Sequence, residues 1–315
     1  MSELIIAAAI LWDFLFSEPP SFIHPTVWMG KFISGSWKIK PFTAKTGEFL
    51  WGFLIVISGI FIFGGVPFLL IRILPSENHL ILFLISIPLL KVSFSLKYLF
   101  RSAREIRDQL VEGNLNEARR LTSYHLVSRN TDNLSPEEIS SCVIESVSEN
   151  ITDSFTSPIF FFLAAGLPGC WAYRFINTSD AMIAYRNEEF EWGGKFTAWC
   201  DSLLNWIPAR LTALMIVSAS FLYPGASGRK SWKYLVRDRN NTASPNAGWT
   251  MSAMSGAISV RLEKKNEYTL GGDEELPGPG KIDISLGITL LSLLLTLLLL
   301  LAIFKGGLWL LNMVV

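Results

Sequence analysis

Charge is scarce in this chain. Asp, Glu, Lys and Arg make up 17% of its 315 residues, against about 25% in soluble domains. Neither sign is in excess, since 27 basic and 27 acidic residues give a net charge of zero. A polyanion binder should show a basic surplus, so nothing points to nucleic acid as a partner and none is expected. Cysteine and histidine are rarer still. Cys142, Cys170 and Cys200 form no CxxC pair, and His24, His79 and His125 are scattered. That argues against a zinc site or a disulfide framework and leaves the thiols as isolated residues in apolar surroundings. No GxxxxGK[ST], GxGxxG or GxSxG occurs, and Gly193-Gly194-Lys195 lacks the spacing of a phosphate loop. The first residues carry no Lys or Arg, and the apolar stretch Leu4 to Trp12 runs into Asp13 with no small-residue cleavage site. It reads as a retained, membrane-associated segment rather than a signal peptide. Neither an internal repeat nor a low-complexity linker is visible.

What the chain has in quantity is apolar length. Half of it is hydrophobic, with 22 Phe and 11 Trp. A membrane-crossing helix needs about 20 consecutive apolar residues, and five stretches qualify, near 49–73, 80–100, 154–173, 202–223 and 284–304. The expected fold is therefore all-α: a single membrane-embedded domain over 1–315, a multi-pass helical bundle with cytoplasmic helical segments at 17–48, 101–153 and 224–283. The hairpin tip Leu74 to His79 has no Lys or Arg, whereas 17–48 carries four Lys, 101–129 six Arg and 224–283 nine Lys and Arg. By the positive-inside rule the tip faces outward and those segments face the cytoplasm. The stretch 154–173 is interrupted by Pro158, Gly166, Pro168 and Gly169, so a full crossing and a re-entrant hairpin both stay open.

Polar residues in costly places are the candidate site. Charges at bilayer depth cost at least about 2.5 kcal/mol each on insertion scales. Asn205, Pro208 and Arg210 lie inside an otherwise apolar stretch. Pro208 opens the backbone, and the planar fork of Arg210 suits phosphate or carboxylate; an interfacial, snorkelling Arg is the alternative. Glu145 and Glu149 share a helix face with Asp153 one turn on. They form either a solvated acidic face or a site for Mg²⁺, which takes one or two carboxylates plus substrate phosphates. Asn177 and Asp180 follow an apolar segment, and Ser244 to Gly248 is a turn that can also bind. None of these identifies a reaction alone.

Taken in order, these stretches resemble the cobinamide-phosphate synthase family of cobalamin biosynthesis (CbiB/CobD). The matching residues are Asp13 with Glu18-Pro19-Pro20, His24 to Gly30, Glu145 to Asp153, Ala172 to Met182, Asp201 to Thr212, Arg237-Asp238, Ser244 to Gly248 and Gly256 to Leu262. The chain departs from the family pattern at Ile151, Thr152 and Ser154, where Thr, Val and Gly are usual, at Ser179 and Ala181, and at Glu263-Lys264, which replaces a Gly pair. The polar residues are retained, and substrate preference stays open.

The resemblance implies an ATP-dependent ligase that joins adenosylcobyric acid to 1-amino-2-propanol or its phosphate. ATP and Mg²⁺ are the implied cofactors. The implied setting is the cytoplasmic membrane, with the site facing the cytoplasm, lipid around it and other cobalamin-pathway membrane enzymes as neighbours. On residue chemistry, Glu145, Glu149 and Asp153 are expected to hold Mg²⁺ or deprotonate the amine, with His24 as a proton shuttle. Arg210, Arg237 and Arg261 are expected to clamp anions. Asp13, Asn150, Asn177, Asp180, Asn205 and Asn246 are expected to position substrate. All are expected to meet in one pocket at the cytosolic edge of the lipid. A transporter or a non-catalytic membrane sensor remains the alternative class.

Overall fold

The computed structural model describes residues 1–16, 18–42, 44–74, 78–127, 129–185 and 187–314, with side chains up to Gly306. Residues 75–77 of the expected hairpin tip lie outside the described residues. The described residues are predominantly helical, and among them is one short antiparallel pair of strands, Leu262–Lys264 and Tyr268–Leu270, with Leu262 opposite Leu270. Among the described residues four helical segments are long and apolar enough to cross a bilayer, Lys45–Ile73, His79–Val111, Pro136–Ile183 and Gly280–Gly306, of which Pro136–Ile183 is broken within its apolar part. A fifth crossing arises if Lys195–Leu204 and Trp206–Leu222, broken at Asn205, count as one. The protein is thus an all-α, multi-pass membrane protein.

The chain divides into two compact units. The first comprises 1–95, 157–205 and 300–315. Its core joins Met29, Ile33 and Trp37 from the helix Pro25–Lys38 to Ile55, Phe63, Trp171, Phe175 and Ile183. Where lipid surrounds helices, van der Waals packing rather than the hydrophobic effect holds them together, so close fit decides. Phe175 stacks on Phe63 at 5.3 Å and lies so close to Gly59 that any Cβ there would overlap its ring.

The stretch 154–173 resolves in favour of the hairpin. The helical segment Ser157–Ile183 is broken at Ala165 and Gly166, where Gly166 takes φ 67°, a conformation that glycine adopts without a Cβ clash. The two arms fold back on each other. Ser157 and Tyr173 both donate to Asn205 Oδ1, at 2.6 and 2.9 Å, and Phe161 stacks on Tyr173 at 5.1 Å.

The second unit comprises 96–156 and 206–299. Ser135 opens the helix Pro136–Ile151 with a full capping box: its hydroxyl accepts from the Glu138 N–H, and the Glu138 carboxylate accepts from the Ser135 N–H. The helix Ala247–Ile258 is built largely of Gly, Ala, Ser and Met and is buried almost throughout. Those small residues let the helix Gly228–Asp238 come within backbone contact. A Cβ on Gly256 would strike the Lys230 carbonyl, and one on Gly248 would strike that of Arg239.

Candidate functional site

In the second unit, the helix Pro136–Ile151 turns Ser141, Glu145 and Glu149 onto one side, four residues apart. The short strand pair lies against it, with the Glu263 N–H donating to Ser141 Oγ at 3.0 Å. Between them is a cavity of about 200 Å³, lined on its polar side by Arg129, Glu145, Ser146, Glu149, Asn150 and Lys264.

Glu145 is 5% exposed and fully engaged. Its Oε1 accepts from Ser141 Oγ at 2.6 Å, and its Oε2 accepts from the Tyr268 hydroxyl at 2.7 Å. Arg129 approaches that same Oε2 at 3.5 Å while donating to Cys142 Sγ at 2.7 Å. Burial, followed by the negative charge of Glu145, pushes the Tyr268 phenol well above its ordinary range. Tyr268 therefore stays a proton donor and fixes the carboxylate's orientation. Asn150 is turned back onto its own helix, donating to the Ser146 carbonyl and hydroxyl. Asp153 lies in the π-helical turn Thr152–Thr156 that follows.

The arginines take separate positions. Arg210 donates to Asn246 Oδ1 at 2.5 Å and to the Trp206 and Pro245 carbonyls, and its guanidinium sits over the Trp206 and Trp249 rings. None of these partners lines the cavity. Arg237 is saturated by carboxylates, with Asp238 taking Nε and Nη2 and Asp273 taking Nη1. Asp238 Oδ2 also accepts from the Gly271 N–H at 2.8 Å, so this group buttresses the turn after Leu270. Arg261 pairs with Glu263 at 3.2 Å.

In the first unit, two further polar groups form. Asn177 and Asn205 both donate to Asp201, at 3.3 and 3.0 Å, and Asn177 Oδ1 accepts from Arg174. Asp180 lies one turn beyond Asn177 on the same arm. The second group centres on Lys91, 1% exposed, which bridges Asp13, also 1% exposed, and Glu18 at 3.1 and 2.5 Å. Glu18 accepts from Ser95 Oγ at 2.6 Å and contacts His24 Nε2 at 3.3 Å. His24 caps the helix Pro25–Lys38 by accepting the Thr26 N–H at Nδ1. With Nδ1 accepting, the ring proton sits on Nε2 and is donated to Glu18. Desolvation raises the Glu18 carboxyl, but the bonds from His24, Lys91 and Ser95 outweigh it and hold the group at about 2.

The expected Mg²⁺ set of Glu145, Glu149 and Asp153 does not close into a cage. Among the described residues no three His, Cys, Asp or Glu side chains are grouped to hold a metal, and both Glu145 oxygens are already taken by hydroxyl donors. As a set of three they do not fit a resident ion. Lys91, Arg129, Tyr173, Asp201 and Tyr268 were not singled out by sequence reasoning as site residues. Lys91 carried a signal, being a charge inside an apolar run; Tyr268 carried none.

The profile of the CobD/Cbib protein family matches residues 6–297. A probable cobalamin biosynthesis protein CobD of Methanothermobacter thermautotrophicus is 42% identical over 272 residues, covering 86% of this chain and 88% of the relative. The cobalamin biosynthesis protein CobD of Dehalococcoides mccartyi is 38% identical, covering 90% and 91%. A probable cobalamin biosynthesis protein CobD of Methanocaldococcus jannaschii is 34% identical over the same shares. No solved structure matches the chain. With residues 6–297 matching the family profile and relatives at 34–42% identity covered over about nine-tenths of their length, the chain belongs to the CobD/Cbib family.

Proposed function

We propose that this protein is an enzyme of cobalamin biosynthesis that joins a carboxylate of adenosylcobyric acid to 1-amino-2-propanol, or to its phosphate, as an amide. Family membership and the relatives' names support the pathway. The observation that carries the chemistry is the small cavity in which Arg129 and Lys264 stand with Glu145 and Glu149. At about 200 Å³ it is smaller than the usual pocket for a drug-sized ligand, roughly 300 Å³ and upward. A corrin cannot enter; a short amino alcohol can. The corrin stays outside and extends one carboxylate arm to the mouth.

A carboxylate does not condense with an amine at neutral pH. ATP is the phosphoryl donor in this reading: the carboxylate oxygen takes a phosphoryl group, ADP leaves, and an acyl phosphate results. The amine nitrogen then attacks the acyl carbon, the C–N bond forms, and the C–O bond to phosphate breaks. The ammonium must first lose a proton, and Glu149 is the base. Glu145, held by Ser141 and Tyr268, holds Arg129 beside it in the cavity, where the guanidinium meets the phosphate when the phosphorylated amine is the substrate. No step is routed through a metal. The test is turnover of Glu149→Gln in lipid nanodiscs. Loss of about 100-fold or more in kcat, with unchanged thermal stability, supports the base assignment, and a wild-type rate rejects it.

A further inference from the structure

Two arginines, Arg210 and Arg239, gather around Trp249. The indole lies at the N-terminal end of the helix Ala247–Ile258. The Arg210 guanidinium carbon is 4.7 Å from its ring centroid and that of Arg239 is 5.0 Å away. Arg210 also lies 4.5 Å from the Trp206 ring. Among the described residues neither arginine forms an ion pair with any carboxylate. Asp238, next to Arg239 in the chain, is taken by Arg237 and by the Gly271 N–H.

The helix end adds to the imbalance. A helix N-terminus carries about half a positive charge and is ordinarily matched by an acidic residue in the first turn. Here the first turn has none. Ser244 Oγ satisfies the Asn246 and Ala247 N–H groups, while Asn246 turns its carbonyl oxygen to Arg210 instead. The Arg210 Nε is buried with no hydrogen-bond partner. Gly248 admits the Arg239 backbone to this helix end, where a Cβ would strike the Arg239 carbonyl. Two guanidinium groups, a helix N-terminus and a buried unmatched N–H therefore converge here, with no carboxylate paired to either arginine among the described residues.

We propose that Arg210 and Arg239, gathered around the Trp249 indole, form a binding site for a phosphate group. Guanidinium forks match phosphate oxygens in geometry and charge, and the indoles hold both planes in place by cation–π contact. Trp206, 54% exposed, begins the apolar helix Trp206–Leu222, as tryptophans do at the headgroup level of a bilayer. The phosphate is therefore that of a lipid headgroup or that of a soluble phosphoester. The site is separate from the Glu145 cavity and stands whether or not that cavity performs the amide chemistry.

The experiment uses the full chain in two nanodisc preparations, one of neutral lipid and one containing phosphatidylglycerol. Pyrophosphate binding is titrated in the neutral discs by calorimetry, and lipid retention from the anionic discs is followed by native mass spectrometry. In at least one arm the wild type binds. There Arg239→Gln weakens binding by at least about tenfold, the loss expected for one charge-assisted contact, and Arg239→Lys weakens it less because the charge remains. Arg101→Gln, which removes an exposed arginine paired with Glu105, leaves binding unchanged. Binding in the neutral discs assigns the site to a soluble phosphoester, and binding confined to the anionic discs assigns it to lipid. Binding in neither arm, or binding that Arg239→Gln does not reduce, overturns the proposal. Thermal melting without ligand separates loss of the site from loss of the fold.

Discussion

Ser157 and Tyr173, sixteen residues apart in sequence, donate hydrogen bonds to the same Asn205 oxygen. A straight helix would separate them by about 24 Å. The break at Ala165–Gly166 removes that separation, so an apolar stretch long enough to cross the bilayer returns to the level at which it began. The fold-back brings Tyr173 and Asn177 to the bend at Asn205, where Asp201 accepts from both Asn177 and Asn205.

The hairpin predicts energetic coupling across those sixteen residues. Asn205→Ala removes the acceptor that the Ser157 and Tyr173 hydroxyls share, at a cost of about 1–3 kcal/mol. Tyr173→Phe alone should cost less, since it removes the donor rather than the shared acceptor. In a double-mutant cycle, most of the Tyr173→Phe effect should vanish on the Asn205→Ala background. Strict additivity in detergent unfolding would contradict the fold-back.

Acid should loosen the first unit through Glu18. Its folded-state pKa, about 2, lies below the ordinary value of 4.5. The stabilisation is therefore fully present above about 4.5 and is lost as pH falls toward 2. Glu18→Gln should be less stable than wild type at neutral pH, and the gap should narrow across that window. A gap independent of pH between 5 and 2, read from melting curves, would rule out the ion pair with Lys91 as its source.

Gly248→Ala should destabilise the second unit. Alanine normally improves a helix position by about 1 kcal/mol, but here its Cβ meets the Arg239 backbone carbonyl, which no rotamer change relieves. A net loss of about 1–3 kcal/mol follows, typical of overpacking. A rise in melting temperature would show that the two segments are not in contact.

Tyr268→Phe tests what orients Glu145. The substitution removes one of the carboxylate's hydroxyl donors and leaves Ser141 in place. Stability should fall by about 1–2 kcal/mol, and kcat should drop more than KM changes, because Tyr268 acts through Glu145. An unchanged kcat would separate Tyr268 from the reaction.

Much of this architecture was legible in the residues. Long uncharged runs such as Ile284 to Phe304 declare membrane helices through length alone, and the Ser135-Pro136 start of the helix bearing Glu145 follows from capping chemistry. The return at Gly166 was not decidable, because a glycine and a proline mark a kink and a hairpin alike. Lys91 stands in the sequence as a charge within an apolar run; that Asp13 and Glu18 neutralise it depends on tertiary pairing far along the chain. Arg237 looked like an anion clamp, and only the fold shows Asp273 and Asp238 occupying it. Tyr268 sits in a short polar strand with no pattern to single it out, although it touches the central carboxylate.

The most direct test of the proposed chemistry is a coupling assay on the purified protein in nanodiscs. Adenosylcobyric acid, aminopropanol phosphate, ATP and Mg²⁺ are supplied, and the corrinoid product is identified by mass. The expected product is an amide-linked corrinoid that forms only when ATP is present, with ADP released in equal amount. A folded wild-type preparation that forms no such product, or forms it equally well without ATP, would contradict the proposed chemistry.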